Sequence, residues 1–142
     1  MIFNNPNVLI EQKAFQKLRD CAKFFVQTQD IYLKLIRNEQ QRDISTGDEE
    51  TIKEVSEFVT KYKKRTEEFE VLFERLETQI NKLTATTRAR YDKTWWPKRL
   101  DQELLVILAR ADDLRQDIMS RNRQAKSDEV TATLRKVRDD IS

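Results

Sequence analysis

Histidine is missing from this chain altogether, and cysteine occurs once, as Cys21. The first absence removes Ser-His-Asp and Cys-His nucleophilic catalysis, histidine acid–base work and the usual zinc sites together. The second removes any intrachain disulfide, CxxC redox pair or cysteine-built zinc site. Only one glycine and two prolines stand among 142 residues, whereas a sheet protein needs turns that draw heavily on Gly, Pro and Asn. Long apolar runs are lacking too. The longest, Leu104 to Ala109, is far too short to span a bilayer. Met1 to Ile10 has no basic start of the kind a signal peptide carries. These absences leave an expected all-α chain, soluble and cytoplasmic by default, with no catalytic residue, metal ligand or cofactor.

What the chain does have is helical periodicity. Ile52, Val55, Val59, Tyr62, Thr66, Phe69, Phe73, Leu76, Ile80 and Leu83 alternate three and four apart, with Thr66 the sole polar member. Such a heptad seam predicts a long helix whose stripe is covered by other helices. Phe58 and Leu72 fall on g positions of the same heptads, where a two-stranded coiled coil usually places charge. Three or more helices are therefore expected to meet there.

Upstream, Leu18, Ala22, Phe25, Tyr32 and Ile36 form one stripe, and Ala14, Cys21, Phe24, Ile31 and Leu35 a neighbouring one. A face that wide predicts contact with two neighbours, with Cys21 a small core residue. Downstream, Leu100, Leu104, Ile107, Ala111, Leu114 and Ile118 form a further stripe, and Val130, Leu134, Val137 and Ile141 a last short one. That last stripe is either a fourth helix or a continuation after a phase shift, since Met119 to Val130 is an 11-residue step. The expected organisation is one domain over 1–142. In it, an antiparallel long-helix bundle takes helix 1 at about 6–42, helix 2 at about 48–95, helix 3 at about 98–126 and a fourth element at about 128–141.

Net charge is +2, too small to imply a polyanionic partner by itself. Its distribution is uneven: about +2 over 1–46, about −3 over 47–84, about +4 over 85–99 and about −1 over 100–142. The surplus coincides with Arg88, Arg90, Tyr91, Lys93, Trp95, Trp96, Lys98 and Arg99, and both tryptophans of the chain are there. Cations interleaved with aromatics can meet phosphates while the rings stack on bases. The same residue types anchor protein interfaces, and they can equally fold over the open end of a bundle.

Two further groups read as solvated faces. Glu54/Glu57, Glu67/Glu70 and Glu74/Glu77, with Asp112, Asp113 and Asp117, are carboxylates of a type that Mg²⁺ enzymes collect. A metal site needs them inside the bundle, and their heptad positions turn outward. In the basic run Lys61, Lys63, Lys64 and Arg65, Lys64 can pair with Glu68 and Lys63 with Glu67 along the helix. Arg121, Arg123 and Lys126 lie about 35 Å from segment 88–99 along the third helix. The function that follows is a non-catalytic structural or adaptor protein joining other proteins, or copies of itself, through helical faces. The alternative is a nucleic-acid-binding helical subunit using segment 88–99.

Overall fold

Three helices run side by side in the computed structural model: α1 (Pro6–Glu39), α2 (Glu49–Arg90) and α3 (Pro97–Ile141). The structure describes residues 6–45, 47–90 and 97–141, with side chains over 12–45, 47–86 and 102–141. Among the described residues there is no strand, and the architecture is an all-α bundle. At 45 residues, α3 is a rod of about 67 Å.

Local chemistry sets the ends. Pro6 and Pro97 each open a helix, where the missing amide costs nothing and the fixed φ suits the first turn. Asp48 caps α2: its Oδ1 accepts the Thr51 amide at 2.7 Å and its carbonyl accepts the Ile52 amide at 3.1 Å. Glu49 and Glu50 then occupy the first turn, at the positive end of the dipole. Helix α1 stops at Glu39 rather than running to 42. The Arg42 amide bonds the Gln40 carbonyl at 2.8 Å, and the Ser45 amide donates to Asp43 Oδ1 at 2.8 Å, an Asx turn that reverses the chain.

Side-chain pairs give the topology. Gln29 bonds Ala111, Arg37 bonds Asp117 and Gln40 bonds Arg121, at sequence separations of 82, 80 and 81. A constant separation means that α1 and α3 are parallel and in register. Helix α2 runs against both, pairing Lys61 with Glu39, Tyr62 with Tyr32, Arg115 with Glu70 and Lys136 with Glu49.

The seam between the parallel helices keeps strict heptads. On α1, Phe15, Ala22, Gln29 and Ile36 follow one another at seven-residue steps, each 0% exposed. On α3, Leu104, Ala111, Ile118, Ala125 and Ala132 do the same, none more than 2% exposed. Toward α2 the spacing is set by rings instead. Phe25 meets Phe69 with centroids 5.9 Å apart, Tyr32 meets Phe69 at 4.9 Å, and Phe58 meets Tyr62 at 4.7 Å. The Tyr32 hydroxyl reaches the Tyr62 carbonyl and Thr66 Oγ1, both at 3.1 Å, which explains the one polar position in the α2 seam. Val55, Tyr62, Phe69, Phe73, Leu76 and Ile80 of that seam are buried.

Four expectations need correction or refinement. The second α1 stripe does not enter the core: Cys21, Phe24, Ile31 and Leu35 are exposed, because α2 and α3 both dock on the other side of α1. Cys21 is thus a surface thiol. Leu72 is likewise exposed, while Phe58 is buried, so only one of the two g positions serves a third helix. The last stripe also faces out. Helix α3 is continuous through 126–128, and its seam goes on through Ala125 and Ala132 without a phase shift, leaving Val130, Leu134, Val137 and Ile141 outside.

Candidate interaction surfaces

The continuity of α3 decides which of its side chains are available. Its last three turns are held by the α1–α2 loop lying directly on the helix backbone. A Cβ at Gly47 would strike the Lys136 amide nitrogen and come within 2.7 Å of the Arg135 carbonyl carbon and 2.9 Å of its Cβ. Arg135 donates to the Ile44 carbonyl, and Lys136 pairs with Glu49 at 3.1 Å. Approach this close requires small residues on the inner side, which Ala132 supplies. The larger apolar residues of the same turns are left to solvent. Val130 is 57% exposed, Leu134 63%, Val137 49% and Ile141 82%. Their steps of four, three and four place them on one line along the helix.

A second apolar strip lies on α1, where Phe24 and Ile31 are 69% and 68% exposed. It is interrupted. Thr28 stands between them, its hydroxyl donating back to the Phe24 carbonyl at 2.9 Å.

Polar features are of two kinds. In an open depression of about 380 Å³ between α1 and α2, charges are matched: Lys61 meets Glu39 at 3.0 Å, Arg42 approaches Glu54 at 4.0 Å and covers the Phe58 ring at 5.1 Å. Burial alone would raise the Glu39 carboxyl, but the Tyr62 hydroxyl, Lys61 and Arg42 together hold it below its ordinary value. A carboxylate so stabilised is a weak base, ill suited to proton abstraction. Between α2 and α3, a cleft of about 160 Å³ is lined by Val59, Thr66, Met119 and Asn122 and rimmed by Lys63, Arg123, Lys126 and Glu67. No ion pair involves these three cations among the described residues, and Lys63 does not reach Glu67.

Three of the acidic groups, Glu70, Asp112 and Asp117, join helices or brace one. Glu70 and Asp112 both bind Arg115, at 3.1 and 3.0 Å, and that guanidinium covers the Phe73 ring at 4.9 Å. Asp117 bridges to Arg37 at 2.7 Å. Among the described residues no group of three or more Cys, Asp or Glu is placed to hold a metal ion, and no helix is long and apolar enough to cross a membrane.

The basic and aromatic segment falls elsewhere. The described backbone reaches Arg90 in α2 and takes up again at Pro97 in α3, and the side chains of Arg88, Arg90, Tyr91, Lys93, Trp95, Trp96, Lys98 and Arg99 lie outside the described residues. Arg123 and Lys126 of the other basic cluster sit about 40 Å along α3 from Pro97. Against known proteins, the chain matches no family model, no curated protein and no solved structure.

Proposed function

We propose that this protein is a non-catalytic structural or adaptor subunit that assembles with other proteins through its helical faces. The observation that carries this reading is the line Val130, Leu134, Val137 and Ile141, four large apolar side chains each about half or more exposed on one continuous helix. An uninterrupted apolar line on a supported helix is a typical contact surface between helices. The matched charges around Glu39 and Lys61 offer no activated group for chemistry. Light scattering across a concentration series, together with capture from the source extract, tests the reading. It predicts a defined oligomer or a stoichiometric partner; a monomer at every concentration with no partner contradicts it.

A nucleic-acid-binding role remains the second reading, favoured by the unpaired Lys63, Arg123 and Lys126 and by the charge surplus over 85–99. It predicts binding to a mixed single-stranded oligonucleotide that weakens steeply with salt and on combining Trp95→Ala with Trp96→Ala. Absence of binding at low salt ends it.

A further inference from the structure

Resting on the assembly reading, we infer that the docking surface runs past Val130 into the cleft at Lys63, Arg123 and Lys126. Its occupant is an amphipathic helix of a partner protein, apolar along most of its length and carrying carboxylates at one end. The first observation is a shared face. Followed backward from Val130, the apolar line steps four residues to Lys126, three to Arg123 and four to Met119, so the cleft and the line occupy one side of α3. From Met119 to Ile141 they span about 33 Å of helix, twice the length of the apolar line by itself.

The second observation is charge left open where the neighbouring levels are closed. Along the α2–α3 edge, Glu49 pairs with Lys136 and Glu70 with Arg115, both at 3.1 Å. Lys63 stands two heptads beyond Glu49 and one before Glu70, and Asn122 holds the matching position on α3. At this level, then, α2 presents a cation where it presents an acid on either side. Asn122 is already engaged, its Nδ2 donating to the Ile118 carbonyl at 2.8 Å. Lys63, Arg123 and Lys126 are all exposed and have no ion pair among the described residues. Carboxylates from outside the chain complement them.

The third observation is the size of the cleft. Its volume of about 160 Å³, walled by Val59 and Met119, is below the roughly 300–1,000 Å³ of small-molecule sites. It admits one apolar side chain set among carboxylates, the anchor of a helix lying in a groove. A polynucleotide suits the surface less well. The cations give way to apolar residues from Val130 onward, and to Glu67 and Glu70 on α2, so no basic track continues for a phosphate backbone. Because the cations stand at one end only, they also set the direction of the bound helix. The reverse placement would press its carboxylates onto Leu134 and Val137, and such mismatches suppress wrong registers.

The test uses the full chain and two fluorescein-labelled helical peptides of about 24 residues, long enough to cover the face. Both carry leucines at steps of four and three among alanine and glutamine. Their last two turns hold glutamates in one peptide and lysines in the other. Fluorescence anisotropy is read at about 0.15 M salt, where charges beyond about 8 Å are screened. The glutamate peptide should bind about tenfold or more tightly than the lysine peptide. Lys63→Glu combined with Arg123→Glu should reverse that order. Leu134→Glu should weaken the glutamate peptide about tenfold. Arg75→Glu combined with Lys82→Glu, an equal change of charge away from the face, should leave it within about twofold. All five sites are exposed, and unchanged circular dichroism would confirm that folding is intact. Failure to bind either peptide, or equal binding of both, overturns the inference. Light scattering and partner capture then decide the assembly reading by themselves. A mixed single-stranded oligonucleotide bound more tightly than the glutamate peptide, and lost with Lys63→Glu and Arg123→Glu, assigns the cations to nucleic acid and overturns it too. Self-association abolished by Leu134→Glu gives the face to a second copy, with the same result for the inference while the assembly reading stands.

Discussion

The two halves of α3 obey one spacing rule with opposite choices of side chain. From Leu104 to Ile118 the inward positions carry Leu104, Leu108, Ala111, Leu114 and Ile118, and α1 and α2 enclose them in two adjoining clusters that share Phe25 and Val26. From Ala125 onward the inward positions shrink to Ala125 and Ala132, and the bulk moves outside to Val130, Leu134, Val137 and Ile141. The periodicity never breaks. What changes is the depth of the neighbour: a layer of side chains faces the helix as far as Ala125, and beyond it loop backbone at Gly47 lies against Arg135 and Lys136. Where backbone approaches backbone, only alanine fits, and large apolar residues become surface. Bulk is therefore a poor guide to the inner face of a helix; register is a better one.

Several substitutions would break or sharpen this comparison. The largest effect belongs to the first half: Ile118→Ala, or Phe69→Ala across from it, should cost about 2–5 kcal/mol in chemical denaturation, as cavities in a closed core do. Costs no larger than those of surface changes would mean that the enclosing helices do not close in solution. In the second half the sign of the volume change reverses. Ala132→Leu or Gly47→Ala should each cost about 1–3 kcal/mol through overpacking, and Gly47→Ala should also loosen the contacts of Arg135 and Lys136. Smallest of all, Leu134→Ala should shift the stability of the dilute monomer by less than about 0.5 kcal/mol. A cost of several kcal/mol there would place the outer line in the core after all.

A pH scan separates the layers chemically, because Tyr32 and Tyr62, the buried tyrosines among the described residues, lie in the cluster nearer the α1–α2 loop. Burial, the largest cause, raises both phenols above their ordinary value, and the neighbouring Glu39 adds to it for Tyr62. Folding thus favours the neutral phenols. Their contribution is intact below about pH 10 and is lost as pH rises through the elevated folded values. Glu39, held low, runs the other way: its contribution stands above about pH 4.3 and fades as pH falls through its depressed value. Phenolate absorbance during alkaline unfolding, in a Tyr91→Phe background, should rise together with loss of helix. Ionisation well before any loss of helix would contradict the buried placement.

The fold was largely legible beforehand. The all-α class and the buried α2 seam follow from composition and spacing alone. Misread were the faces where two apolar lines compete. On α1, Phe24, Ile31 and Leu35 outweighed Phe15, Gln29 and Leu33, although the second set is buried. Gln29 was invisible to any hydrophobic pattern. Its Nε2 donates to the Ala111 carbonyl at 3.1 Å while Oε1 finds no partner, an arrangement costing about 1–3 kcal/mol that polar seam residues offset by fixing register. On α3 the signal was present, since Leu104, Ala111, Ile118, Ala125 and Ala132 stand seven apart, but the two last alanines were too small to attract notice. The surface itself could not be identified earlier, because its exposure depends on the loop at Gly47.

Thiol-labelling rates for single cysteines at positions 125, 130, 132 and 134, in dilute native Cys21→Ser protein, address the central claim most directly. The account predicts that Ala125→Cys and Ala132→Cys are protected by orders of magnitude, while Val130→Cys and Leu134→Cys react like free surface thiols. Protected cysteines at 130 and 134 beside reactive ones at 125 and 132 would reverse the inner and outer faces of α3 and contradict it.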